Sequence, residues 1–172
     1  MIPLSQSTTY TLRQLTDLLE QMHESQYFQQ VAVLDNNTVG KHVRHIIECY
    51  QSLLAGFDTD VVDYENRARD LSLETNVVLA IIELKNINLA IIAHEDDKNL
   101  FIQANQSHEN EGNLLVKTSL AREIVYCLEH AIHHMAIIAI AVKTAFPEIS
   151  IHPHFGFAYS TIKHLEKTVC VQ

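Results

Sequence analysis

Glycine, proline, cysteine and positive charge are all scarce in this chain. Four glycines and three prolines among 172 residues leave few helix breakers, and 47% hydrophobic content supplies a substantial core, so a single domain over residues 1–172 is expected. The three cysteines, Cys49, Cys127 and Cys170, are an odd number with no Cys-x-x-Cys pair. That argues against a disulfide framework and a thiolate zinc site, and makes a reducing cytoplasm the expected compartment. Twelve basic against twenty-one acidic residues give a formal charge of −9, which repels a phosphate backbone; nucleic acid is not an expected partner. The opening stretch MIPLSQSTTYTLRQL lacks a basic run followed by an apolar core, so it does not read as a secretory signal. The most apolar run, AIHHMAIIAIAV, is too short for a membrane span and holds two histidines, which marks it as a buried bundle helix.

What the chain does hold is histidine, eleven in all, and long helical periodicity. Leu12, Leu15, Leu18, Leu19 and Met22 form one face of a first amphipathic helix, expected from about Thr11 to Tyr27. A second is expected from about Thr38 to Phe57, with Asn37 or Thr38 as cap and Val43, Ile46, Ile47, Tyr50, Leu53 and Leu54 inside. The polar stretch FDTDVVDYENRARDLSLET reads as a long crossover carrying a patch at Tyr64, Arg67 and Arg69. A third helix is expected from near Leu73 to about His94. The β-prone runs LFIQANQ and NLLVKTS, parted by the turn-rich SHENEG, suggest a small hairpin. A fourth helix runs from near Ser119 to Ala145 and stops before Pro147. The expected fold is therefore all-α: a four-helix bundle with one long crossover and a small β-hairpin between its third and fourth helices. Such bundles build ligand sites from side chains on facing helices.

Three histidines, His130, His133 and His134, crowd the most apolar helix, and His42 and His45 lie on the second. Residues four apart on a helix are separated by roughly 40° on the wheel, so His130 and His134 can reach one ion. A buried imidazole without a partner costs on the order of 1–3 kcal/mol, which favours an ion over two core histidines merely packed there. His133 lies roughly 100° from His134 and flanks the pair. The third ligand comes from elsewhere, and His42 and His45, roughly 60° apart, compete for it. Histidines 94, 108, 152, 154 and 164 read as solvated, with His152 and His154 kept as pocket-rim groups. Sharper metal patterns are missing: only Glu20 and His23 have the Glu-x-x-His spacing of a di-iron bundle, and neither His-Glu-x-x-His nor His-x-x-x-Glu occurs.

The runs TVGKHVRHIIECY and EHAIHHMAII resemble the DinB-like superfamily of metal-binding four-helix bundles. The resemblance implies a first ligand in a Gly-x-x-x-x-His stretch, matched by Gly40 to His45, and a later His-x-x-x-His pair, matched by His130 and His134. A divalent ion, zinc or nickel, would then sit on His45, His130 and His134 with positions open for water or substrate. The resemblance further implies a metal-dependent enzyme, a thiol S-transferase or a hydrolase, acting on a small-molecule substrate such as a low-molecular-weight thiol. The alternative is a non-catalytic metal-binding or stress-related interaction bundle. Tyr64, Arg67 and Arg69 are candidate substrate-binding residues, since guanidinium offers a planar fork to carboxylates; the plainer reading pairs the arginines with Asp63, Glu65 and Asp70. Tyr126 and Glu123, four and seven residues before His130, are the candidate catalytic acid–base groups. Cys49 and Cys127 should face inward as small packing residues. Apolar residues on more than one face between Val77 and Ile92 make a homodimer the expected assembly.

Overall fold

A computed structural model describes residues 1–104 and 114–169. Its long helices are α1 (Ile2–Leu19), α3 (Val39–Thr59), α5 (Val77–Ala93) and α6 (Leu120–Ala145), with the shorter α2 (Glu24–Tyr27), α4 (Leu71–Thr75) and α7 (Tyr159–Val169) around them. The four long helices close a ring in which α3 packs on α6, α6 on α1, α1 on α5 and α5 on α3. The apolar periodicity fills its centre: Leu12, Leu15, Ile46, Ile47, Leu53, Leu84, Ile124 and Ile138 are all buried. Helix starts follow capping chemistry, with Thr38 accepting from the Lys41 amide, Asn76 from Leu79 and Ser119 from Arg122.

Two helices differ from the periodicity reading. The first begins nine residues earlier than Thr11, because Pro3 is tolerated in a first turn and the polar SQSTTY stretch hides its pattern. It stops at Leu19, and α2 then starts from a reciprocal His23–Gln26 cap. The third helix is two pieces, α4 and α5, divided at Asn76, whose extended backbone and side-chain cap start the second piece.

The chain is not purely α-helical. Beside the bundle lies a three-stranded sheet of order β1 (Val61–Asp63), β2 (Asn99–Ala104) and β3 (Leu114–Ser119). β2 and β3 are the expected antiparallel pair, Asn99 facing Ser119 and Ala104 facing Leu114, while the SHENEG turn lies outside the described residues. β1 pairs in parallel with β2, Val61 against Phe101 and Asp63 against Gln103. Part of the crossover is therefore a strand, and the fold is mostly helical with an attached mixed sheet rather than all-α. Gly56 lets β1 come this close: a Cβ there would stand 2.6 Å from the Val62 side chain. Helix α6 is, by length and composition alone, long and apolar enough to cross a membrane, contrary to the sequence expectation. Half of its most apolar window is buried within the protein, as a core helix requires.

Candidate metal centre and adjoining cleft

The buried faces of α3 and α6 aim their histidines at each other. On α3, Val43, Ile46, Ile47 and Tyr50 point into the core, which leaves His42 and His45 half-buried at its margin. On α6, Cys127, Ala131, Met135 and Ile138 do the same, and His130 and His134 fall on the adjoining strip. His45, His130 and His134 meet there, each offering one ring nitrogen, all within 4.8 Å of one another. The Nε2 atoms of His45 and His130 are 2.9 Å apart. Two nitrogens on one tetrahedral ion stand roughly 3.3 Å apart at bonds of roughly 2.0–2.1 Å, so the pair needs to open by less than about half an ångström. The donor set therefore fits a divalent ion.

Electrostatics keep these rings in the ligand form. Burial, reinforced by Arg67 and the neighbouring imidazoles, lowers the His45 pKa to about 4; burial and the surrounding histidines lower that of His134 to about 3. Burial also lowers those of His130 and His42. Neutral imidazole is the metal-binding species. The close-set group takes in His45 and not His42, whose Nδ1 lies 3.0 Å from Nδ1 of His134 and so supports that ring from the side. His133 is exposed, edge-on to His134 with ring centroids 5.4 Å apart, consistent with a flanking place. His152 meets His154 and Tyr10 edge-on, and neither histidine is among the residues that line the cleft beside the centre.

The expected substrate residues come together beside this centre. Tyr64, Arg67, Arg69 and Tyr126 line one cleft of about 540 Å³, with Arg122 from α6 and Gln103 from β2. Tyr126 is its shared wall, stacked on His130 with centroids 5.8 Å apart and tilted against Tyr64 at 5.0 Å. Glu123 is placed differently from Tyr126. It is fully buried, and its carboxylate accepts from the Tyr64 hydroxyl at 2.8 Å, the Thr118 hydroxyl at 2.5 Å and Arg122 Nη1 at 2.9 Å. With three donors on two oxygens, Glu123 joins the crossover, β3 and α6 rather than facing the cleft. Burial first, then the nearby Cys127 and Glu123, pushes the Tyr64 hydroxyl far above its usual pKa, so it stays a donor.

Cys49 and Cys127 are buried free thiols, Sγ to Sγ 3.4 Å, one turn from His45 and His130. Beneath the cleft lies a network that the sequence reading did not single out. Glu48 is buried at 3% exposure, accepts from the Asp70 amide at 2.8 Å and faces Arg44 Nε and Arg67 Nε at 3.9 Å each. Arg44 pairs in turn with Glu74 at 2.8 Å. Arg67 thus faces an acidic residue outside the set Asp63, Glu65 and Asp70. A signal was present: Arg44 and Glu48 stand four apart inside the apolar run RHIIECY, where charges need partners.

No family model matches the chain, and no solved structure matches it. One curated relative is FK506-binding protein 5 of Rhizopus delemar, 31% identical over 111 residues. The match takes in 62% of this chain, and this chain spans 28% of that protein's length.

Proposed function

We propose that the chain is a metal-dependent enzyme of the DinB-like type that holds one divalent ion, zinc or nickel, on His45, His130 and His134. It acts on a small molecule by S-transfer or hydrolysis. The observation that carries the reading is the three-imidazole cluster supplied by two facing helices, where burial lowers the pKa of each ring and so favours its neutral form. Three protein donors leave room for water or a thiol, whose pKa a bound Lewis acid lowers enough to give a nucleophile at neutral pH. Around that position the protein orients. The contact between His42 Nδ1 and His134 Nδ1 holds the His134 ring in place, while Tyr126 packs against His130 and restricts its ring. Tyr126, a partly exposed residue of the cleft lining, is the group we assign to give a proton to a leaving group. Glu123 serves by fixing Tyr64.

The name of the Rhizopus relative adds nothing to this reading, given the small part of that protein that matches. A cytoplasmic setting fits the free thiols, and a homodimer fits the exposed apolar stripe of Val78, Ile82, Leu89 and Ile92 on α5. Elemental analysis of untagged protein tests the proposal: one divalent ion per chain is expected, lost in His130→Ala and His134→Ala. Metal-free protein from metal-replete cells sinks it. A second reading has its own observation, since His45 lies on α3 and His130 and His134 on α6, so that an ion there ties two helices together. A chelator that lowers the unfolding temperature, with no turnover in any pairing of thiols and electrophiles or any ester or amide, favours that non-catalytic bundle.

A further inference from the structure

The chain is strongly acidic and has five arginines, Arg13, Arg44, Arg67, Arg69 and Arg122. Three of them, from two separate segments, line the cleft beside the histidines. Such concentration needs a cause, because the surface has carboxylates to spare elsewhere.

Each arginine is set in place by the fold. Arg67 has Glu48 behind it at 3.9 Å, and its buried Nε has no hydrogen-bond partner among the described residues. Arg122 rests over the Tyr126 ring, 5.5 Å from its centroid, with Nη1 on Glu123. Arg69 stands in left-handed backbone at φ 52°, between Arg67 and Asp70, whose amide is tied to Glu48. A non-glycine residue kept in that conformation is over-determined by its surroundings, as happens where a side chain must be aimed. The backing carboxylates, Glu48 and Glu123, with Glu65 on the rim, offset the net charge of the cleft. They do not exhaust its donors. A guanidinium has five N–H groups in a rigid fork, and among the described residues the hydrogen bond of Arg122 to Glu123 engages one of them. Carboxylates and phosphates both accept such forked donors two at a time. Tyr64 and Tyr126 add flat aromatic walls, and Gln103 an amide from the sheet.

We infer that this cleft is an oxyanion subsite, in which Arg67, Arg69 and Arg122 grip a carboxylate or phosphate on the non-reacting end of the substrate. Tyr126 divides the subsite from the histidine centre, so the ligand is a small acid long enough to pass one aromatic ring. As a substrate assignment this rests on the proposed metal-dependent reaction; anion binding itself needs no ion.

The test therefore uses chelator-treated full-length protein. Inorganic phosphate and succinate are titrated separately at low ionic strength and followed by amide chemical shifts. Saturable shifts are expected at residues 64–69 and 122–126, weakened about tenfold or more by Arg69→Gln and by Arg122→Gln, each with a native unfolding curve. Arg67 is left alone because its own side chain is largely buried against Glu48, whereas Arg122 is mostly exposed and Glu123 keeps the Tyr64 and Thr118 hydroxyls without it. Binding of phosphate alone assigns a phosphorylated ligand, of succinate alone a carboxylate, and of both the oxyanion class. If neither saturates, or if both variants bind as the parent does, the inference fails. Since no ion is present, this failure is separate from that of the metal centre, which elemental analysis decides.

Discussion

Replacing Glu123 by alanine isolates what the buried carboxylate does. In the native protein it receives hydroxyls from Tyr64 and Thr118 and a guanidinium N–H from Arg122, so the substitution strands two hydroxyls and frees one arginine. Hydrogen bonds to charged groups contribute roughly 1.5–3 kcal/mol each, and a stranded buried donor costs about as much. The Arg122 side chain is 59% exposed and rehydrates, so its pairing adds little. Thr118 and Tyr64 are both half-buried and recover part of their loss. Returning a carboxylate from the interior to no charge at all offsets some of the total. The balance is a destabilisation of about 2–4 kcal/mol, or on the order of 5–15 °C in unfolding temperature for a chain of this size. Glu123→Gln keeps an acceptor and the volume, and should lose about half as much. Urea unfolding of both variants, with Tyr64→Phe and the double variant, measures it; the Tyr64–Glu123 pair should couple by about 1–2 kcal/mol. A Glu123→Ala protein within about 0.5 kcal/mol of the parent, or strictly additive double substitution, refutes the anchoring role.

Two further outcomes follow from the same structure. His45 and His134 have folded-state pKa values of about 4 and 3, below the ordinary value of 6.5, so between those limits the unfolded chain binds more protons than the folded one. Stability of metal-free protein must therefore fall as pH drops from about 6.5 toward 4, and the slope should flatten in His134→Ala; melting curves from pH 8 to 4 that show no acid loss contradict the burial of these rings. Gly40 faces the backbone carbonyl of Glu74 and the Tyr27 ring, where a Cβ cannot fit without movement of α4. Gly40→Ala should cost about 1–3 kcal/mol and lower the melting temperature, and a neutral result shows that α4 is free to shift.

Gly40 also shows how a sequence pattern and its physical cause can part. In the sequence it belongs to a motif ahead of His45; in the structure it makes room for the α3–α4 approach, and so helps hold the stretch that leads to Arg67 and Arg69. The His130–His134 pair was legible because a four-residue step on an apolar helix has one geometric outcome. The choice between His42 and His45 was not, since roughly 60° of wheel separates them and both border the core. Packing of α3 against α6 gave them different places, His45 in the three-histidine group and His42 beside His134.

By itself the sequence determined the four long helical segments, the hairpin strands and most of the buried faces, because these depend on periodicity and on residues close in the chain. It also determined that uncommon chemistry lies on two of those helices. Only tertiary structure decided the rest. Three residues, Val61–Asp63, have no period to read and become a strand because β2, some forty residues on, offers a parallel edge. Glu123 was placed near His130 by helical spacing, but its environment came from Tyr64 and Thr118, distant segments that turned a candidate acid–base group into a buried anchor. The arginine cleft arose in the same way, from crossover, sheet and helix brought together, since side chains that act on one ligand need no proximity in sequence.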